Sequence, residues 1–320
     1  MKVIITGNSG FIGSNLTENL FKNDNFVVGI DKDYSSKHRL ESFLPKNVKM
    51  YMLSSNFVAK NFTMIWENIN NIMRYHYCFD DADIVYHLAA ASDIKKSAED
   101  TEWDVNNNIN GTHEVLEMMR KKDIPKIVFT STSALYGENP VFPTSENEPL
   151  IASSLYSASK ISAEHLIQAY CESYGMKGWI FRFGNVVGKN QHRGVVVDFI
   201  NKLKENKETL EILGNGKQIK SYVYVSDCIN AMLSIPKLDN NKKHETYNIA
   251  TYDQINVDKV AEIVCENLGV RPLITYTGGK RGWKGDIPTI KLSIQKALNT
   301  GWTPKYKCKD AIKKAVEELK

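Results

Sequence analysis

Cysteine is scarce in this chain of 320 residues. There are five, Cys78, Cys171, Cys228, Cys265 and Cys308, odd in number, far apart, with no Cys-x-x-Cys. That argues against a disulfide framework or a zinc site. Each thiol reads as a small buried or half-buried filler in a chain kept in a reducing cytoplasm, and no metal is expected. Long hydrophobic runs are also missing, so no membrane span is expected. Met1-Lys-Val-Ile-Ile-Thr-Gly7 runs straight into a strand and leaves no room for a signal peptide. Charge of one sign is in short supply: 41 Lys and Arg face 37 Asp and Glu, for a net charge of +4. Because these charges are interspersed, no nucleic-acid partner is expected. Linkers, internal repeats and low-complexity stretches are absent. What is left, 42% hydrophobic and 24% charged residues, is ordinary for a globular protein of one large or two modest domains.

The first fifty residues are organised as a dinucleotide site. Lys2–Thr6 reads as a short buried parallel strand, followed at once by Gly7-Asn-Ser-Gly10-Phe11-Ile12-Gly13 and a helix from Ser14 to about Lys22. Gly7 makes the turn out of the strand, Gly10 lets backbone approach a pyrophosphate, and Gly13 lets the helix pack closely. The helix N-terminus offers free N–H groups and a positive dipole to phosphates. A second strand, Phe26–Ile30, ends at Asp31, whose carboxylate can accept from both adenosine ribose hydroxyls and repels a 2′-phosphate. The spacing therefore predicts NAD rather than NADP, with Lys32 as a cation that could tolerate the phosphate. Further strands are predicted at Val48–Leu53, Asp83–Ala90, Lys126–Thr130 and Trp179–Phe183. A hairpin is predicted over Leu210–Lys220 with its turn at Gly214-Asn-Gly216. Ile65, Trp66, Ile69, Ile72 and Met73 are spaced as one helical face.

The chemistry is expected at Tyr156-Ser-Ala-Ser-Lys160. Residues four apart share a helix face, and the apolar spacing of Ile161–Tyr170 predicts a helix. A phenol ordinarily loses its proton near pH 10. A nearby ammonium favours the phenolate. Bringing the group to neutrality needs roughly 4 kcal/mol, at about 1.36 kcal/mol per unit. The product is a base able to take a proton from a sugar or alcohol hydroxyl. Alone, such a pair also occurs by chance on solvated helices; it gains weight from its context.

Gly-x-x-Gly-x-x-Gly with Tyr156 and Lys160 resembles the extended short-chain dehydrogenase/reductase group, the NAD-dependent epimerases and dehydratases. The resemblance extends over nearly the whole chain, through His87-Leu88-Ala89-Ala90, Asn108-Ile-Asn-Gly-Thr112, Ser131-Thr132-Ser133-Ala-Leu-Tyr136-Gly137, Arg182-Phe-Gly-Asn185-Val-Val-Gly188 and Leu298-Asn-Thr-Gly-Trp302-Thr-Pro304. It implies an α/β fold, a Rossmann-like doubly wound parallel sheet over residues 1–180. A smaller C-terminal substrate-binding region over 181–320 would be interleaved with segments returning to that sheet. It also implies cofactor contacts from the glycine loop with Phe11 and Ile12, from Asp31 and Lys32, from Asn56 toward the adenine, and from Leu88, Ala89 and Ala90. Asn108 would brace the active-site backbone, and Tyr156 and Lys160 would touch the nicotinamide end.

Thr132 aligns with the catalytic Ser/Thr. Dehydratases of the family follow it with Asp-Glu to eliminate water; here Ser133 and Ala134 stand there. The implied activity is nucleotide-sugar 4-epimerisation, with a UDP-hexose as the expected substrate. Asn185, Lys220 and Arg281 are the expected contacts to the nucleotide diphosphate or sugar, and Ile290 the residue gating the pocket beside C2. Lys284 competes with Arg281 for the diphosphate. A homodimer is implied too. The rival readings are a net NAD-dependent dehydrogenase or reductase and a non-catalytic NAD-binding protein, the latter opposed by an intact Thr132, Tyr156 and Lys160. His87, taken alone, reads as a core histidine without chemistry.

Overall fold

Alternating short apolar strands and amphipathic helices can bury their faces only in layers, and here the layers form around one sheet. The computed structural model describes residues 1–43, 57–59, 61–138, 141–238, 241–283 and 285–320. Its main strands are β1 (Lys2–Thr6), β2 (Phe26–Asp31), β3 (Phe57–Ala59), β4 (Phe62–Trp66), β5 (Ile84–His87), β6 (Lys126–Thr132) and β7 (Lys177–Phe183), joined by His244–Ile249. Across the sheet the order is His244–Ile249, β7, β6, β5, β1, β2, β4, β3. β1 pairs in parallel with both β2 and β5, β2 with β4 and β5 with β6, while β3 is an antiparallel edge. The chain order reverses on either side of β1, so the carboxyl ends of β1 and β5 open the crevice in which such a sheet binds its ligand. The fold is a Rossmann-like α/β fold.

Two compact units divide the chain. The first holds residues 1–131, 154–180 and 239–246; the second holds 132–153, 181–238 and 247–320. The first unit's core joins Ile4, Val28, Val85, Ile127 and Phe129 from the strands to Val115, Leu116, Ala163 and Ile167 from the helices Gly111–Lys121 and Leu155–Tyr174. Fully burying such a side chain contributes about 1.5–3 kcal/mol.

Two expectations are corrected here. Ile65 and Trp66 lie on β4, not on a helix; the helical turns begin at Ile69 and run to Phe79. A short apolar run is ambiguous in period, and pairing with β2 decides it, Ile30 against Ile65 and Asp31 against Trp66. The hairpin does not form either. Thr209–Ile212 pairs in parallel with Leu273–Tyr276, and Ile219–Lys220 pairs antiparallel with Ile255–Asn256. The glycine turn is real, with Gly214 and Gly216 at φ +82° and +74°. Its arms part because each pairs with a segment distant in sequence, and a Cβ at Gly214 or Gly216 would meet the Gln218 amide or the Asp258 carboxylate. Val48–Leu53, Asn56 and Lys284 fall outside the described residues.

The cysteines are free thiols, Cys78 half-buried and the other four buried. Cys308 is a hydrogen-bonding hub in the second unit. Its sulfur accepts from the Tyr222 N–H at 3.2 Å, lies 3.1 Å from Thr251 Oγ1 and donates to the Asp253 carbonyl at 3.2 Å.

Candidate active site

The glycine loop closes on itself and on the next strand crossing. Gly7 has φ +71°, and a Cβ there would stand 2.6 Å from the Ala89 nitrogen. A Cβ on Gly13 would meet the Gly7 carbonyl oxygen at 2.0 Å, so Gly13 is required by the loop's own backbone more than by the sheet. Asp31, at the end of β2, accepts from Ser9 N–H at 3.1 Å and Asp33 N–H at 3.0 Å. Its carboxylate thus holds the loop and keeps lone pairs for a ribose. Lys32 is turned to Asn107, its ammonium 2.7 Å from Oδ1.

Behind the loop, the Leu88–Ala91 segment is pinned from several directions. Ala89 N–H donates to Thr6 Oγ1 at 3.2 Å. Ala91 N–H donates to Asn108 Oδ1 at 2.7 Å, while Asn108 Nδ2 returns a bond to the Ala91 carbonyl at 3.1 Å. Asn108 sits on a single wide π-helical turn, Val105–Asn110, of the kind that re-aims one side chain at a functional site. Its Nδ2 also donates to Ser159 Oγ at 2.8 Å, and Ser159 donates to the Tyr156 carbonyl at 2.8 Å. The bracing role expected of Asn108 therefore has a path to the helix that carries Tyr156.

That helix, Leu155–Tyr174, starts where Ser154 and Ser157 cap each other's backbone, and stops at Gly175 in the left-handed conformation. The cap sets Tyr156 in the first turn, half-buried, and Lys160 one turn in, 2% exposed. Lys160 Nζ stands over the Phe129 ring, 3.8 Å from its centroid. Burial pulls its amine from the usual lysine range down to about 7, and Glu164 opposes that pull. An amine titrating near neutrality, one helical turn from a phenol, is a proton-tunable pair.

In the second unit, Thr132 caps the tight turn Ser133–Tyr136: Ala134 N–H donates to its Oγ1 at 3.1 Å. The hydroxyl hydrogen stays available for an oxygen. Asn185 begins a short strand paired with Tyr222–Tyr224, and its side chain bonds Tyr222. Lys220 is 8% exposed and ion-paired to Asp286 at 2.6 Å. Asp286 also accepts from the Gly282 N–H at 3.0 Å. Arg281 is paired with Glu138, and Ile290 lies half-buried where its N–H meets the Ile219 carbonyl at 3.0 Å.

Comparison with known proteins decides the family. The model of the NAD dependent epimerase/dehydratase family matches residues 3–250. The chain belongs to that family. A putative UDP-glucose 4-epimerase of Methanocaldococcus jannaschii is 33% identical over 99% of this chain and 98% of its own length. Among solved structures, a UDP-glucose 4-epimerase of Thermotoga maritima with UDP-glucose superposes with a TM-score of 0.87 at 28% identity, covering 100% of this chain and 98% of its own. A UDP-glucuronic acid 4-epimerase of Bacillus cereus, in complex with UDP-glucuronic acid and NAD, gives 0.88 at 26% identity, covering 100% and 99%. This is an extended short-chain dehydrogenase/reductase, and NAD is its cofactor.

The residues present in this epimerase/dehydratase fit that cofactor. Ser9 Oγ and Asn8 Oδ1 in the glycine loop and Ser131 Oγ at the end of β6 are buried without a hydrogen-bond partner among the described residues. Buried polar atoms of this kind call for a ligand or water. A Cβ added at Gly10 would meet only the Gly7 oxygen, leaving its outer side open. Sequence reasoning did not single out Ser9, Ser131 or Ser159, because lone serines carry no spacing signal. It also passed over Glu67. This residue directly follows β4, where its N–H bonds the Asp31 carbonyl at 2.9 Å. It is the acid at the carboxyl end of the strand beside β2.

Proposed function

We propose that this enzyme is a nucleotide-sugar 4-epimerase acting on a UDP-hexose. The observation that carries the reading is the turn after Thr132. Ser133 is buried, Ala134 spends its N–H on Thr132, and neither position offers a carboxylate for the elimination of water. The 4-epimerase relatives support the same choice.

In this reading Tyr156, as phenolate, takes the proton of the sugar 4-hydroxyl. Lys160, while charged, favours that phenolate. Thr132 donates its free hydroxyl hydrogen to the same oxygen. The glycine loop, Asp31 and the Leu88–Ala90 segment would hold NAD, which when bound would supply a reversible hydride acceptor for C4; the transient 4-keto sugar turns its other face to the cofactor before the hydride returns, so C4 inverts with no net oxidation. Tyr156 then gives the proton back on the epimer. Asn185 contacts the nucleotide sugar; Lys220 and Arg281, each already beside a carboxylate, contact its diphosphate only in competition with Asp286 and Glu138. Ile290 leaves room beside C2, which makes the N-acetylhexosamine forms candidates as well. The five free thiols support a cytoplasmic setting. A homodimer completes the proposal.

The test is NMR of the purified protein with UDP-glucose and separately with UDP-N-acetylglucosamine, with trace NAD. A 4-epimer without NADH absorbance is expected. NADH rising with substrate and no epimer would overturn the proposal in favour of a dehydrogenase.

A further inference from the structure

His87 is a buried titratable residue for which the mechanism above has no use. It ends β5, is 0% exposed, and makes two hydrogen bonds that together determine its proton inventory. Nδ1 lies 2.7 Å from Thr6 Oγ1, and Nε2 lies 2.9 Å from Thr112 Oγ1. Thr112 Oγ1 is 2.5 Å from the Asn108 carbonyl, an oxygen with no hydrogen to give, so Thr112 spends its only hydrogen there. It must then accept from His87, which places a hydrogen on Nε2. Thr6 Oγ1 already accepts from Ala89 N–H, and its own hydrogen is left for Nδ1. Every member of the chain is satisfied by one arrangement, the neutral Nε2–H imidazole.

We infer that His87 is a positioning residue, held as a neutral Nε2–H imidazole, that ties the cofactor-facing Leu88–Ala91 segment to the Asn108 turn and through it to the helix bearing Tyr156 and Lys160. One end of the tie is Thr6, directly before Gly7, with its grip on Ala89. The other is the Asn108 carbonyl, on the residue whose side chain grips Ala91 and Ser159. A second proton on Nδ1 would make Thr6 Oγ1 accept from both His87 and Ala89 N–H and turn its own hydrogen away from the ring, so the neutral form alone uses every hydrogen in the chain.

The surroundings oppose that proton. Groups facing the ring are Thr6 from β1, Thr112 from the helix Gly111–Lys121, Phe129 from β6 at 5.4 Å between centroids, and Lys160 from the helix Leu155–Tyr174. Burial first, and the Lys160 ammonium second, push the imidazole down to about 3.

The inference rests on Asn108 and the helix of Tyr156 serving the site as described, and its test needs no sugar substrate. In the whole protein, 15N NMR of the histidine rings should show one imidazole in the neutral Nε2–H form, unchanged from pH 8 to pH 5, assigned by its loss in His87→Gln. Titration of that ring in this range, or a hydrogen on Nδ1, would overturn the inference. His87→Gln retains one donor and one acceptor; His87→Phe retains neither. Calorimetric titration with NADH should show affinity roughly tenfold weaker in His87→Phe and within about threefold of the parent in His87→Gln. Equal affinities in the two variants would also overturn it. Failure of the sugar assay would leave both readouts intact, so the two proposals fall separately.

Discussion

Two buried lysines, one in each unit, show how the same side chain is put to opposite uses. Lys160 is 2% exposed and faces an aromatic ring; Lys220 is 8% exposed and faces a carboxylate at 2.6 Å. Burying an ammonium costs several kcal/mol unless a partner offsets it. Lys220 has that partner in Asp286, and the pair works as a clamp between the strand Ile219–Lys220 and Asp286. For Lys160 the cost falls on the proton, and the amine titrates near 7. A lysine poised at neutrality can help activate a phenol; one locked in an ion pair cannot. The lesson is that burial alone does not tell a structural cation from a functional one. The residue opposite it does.

The strongest way to break the comparison is at the first lysine. Tyr156→Phe should lower turnover by about 10³-fold while leaving NAD bound, as expected when a general base is removed; steady-state rates and bound-cofactor absorbance check both halves. Lys160→Met should lose a comparable factor. Next in size is the clamp. Asp286→Asn strands a buried ammonium and should cost about 3–5 kcal/mol of stability, measured by urea unfolding. The double change Lys220→Met with Asp286→Leu should recover most of that loss, and if it does not, the pair is more than a clamp.

A subtler effect separates the lysines by pH. Lys160 titrates near 7 in the folded protein against 10.5 for an ordinary lysine. Between those values the unfolded chain binds the extra proton, so the stability this residue contributes rises with pH across that window and is flat below it. Melting temperatures of the parent and Lys160→Met at pH 7 and pH 9 should show the parent gaining on the variant; a constant difference would refute it. The smallest expected effect is at the exposed pair of Arg281 and Glu138, where Glu138→Gln should change stability by less than about 1 kcal/mol.

The same contrast explains what was legible in the sequence. Lys160 announces itself through Tyr156, four residues away, and the glycine loop through its fixed spacing ahead of Asp31. These are local patterns with a geometric meaning, and the parallel strand order follows from alternating them with helices. The resemblance to the family points to Lys220, but its partner lies 66 residues on, and nothing local predicts Asp286. The Leu210–Lys220 turn was visible while the partners of its arms, Leu273–Tyr276 and Ile255–Asn256, were not. His87 carries no sequence signal of its own, because its partners Thr6 and Thr112 meet it only when β1, β5 and a helix pack.

The placement of the thiols turns the five cysteines into a set of internal markers. Cys171 belongs to the first unit, and Cys228, Cys265 and Cys308 to the second. Cys308 is held on several sides by Tyr222, Thr251 and Asp253. An alkylating reagent added to the native protein would reach Cys78 first, and it would reach Cys171 or Cys308 only in molecules where the surrounding unit has opened. Mass spectrometry of the tagged peptides over time would then time the opening of each unit without any engineered probe.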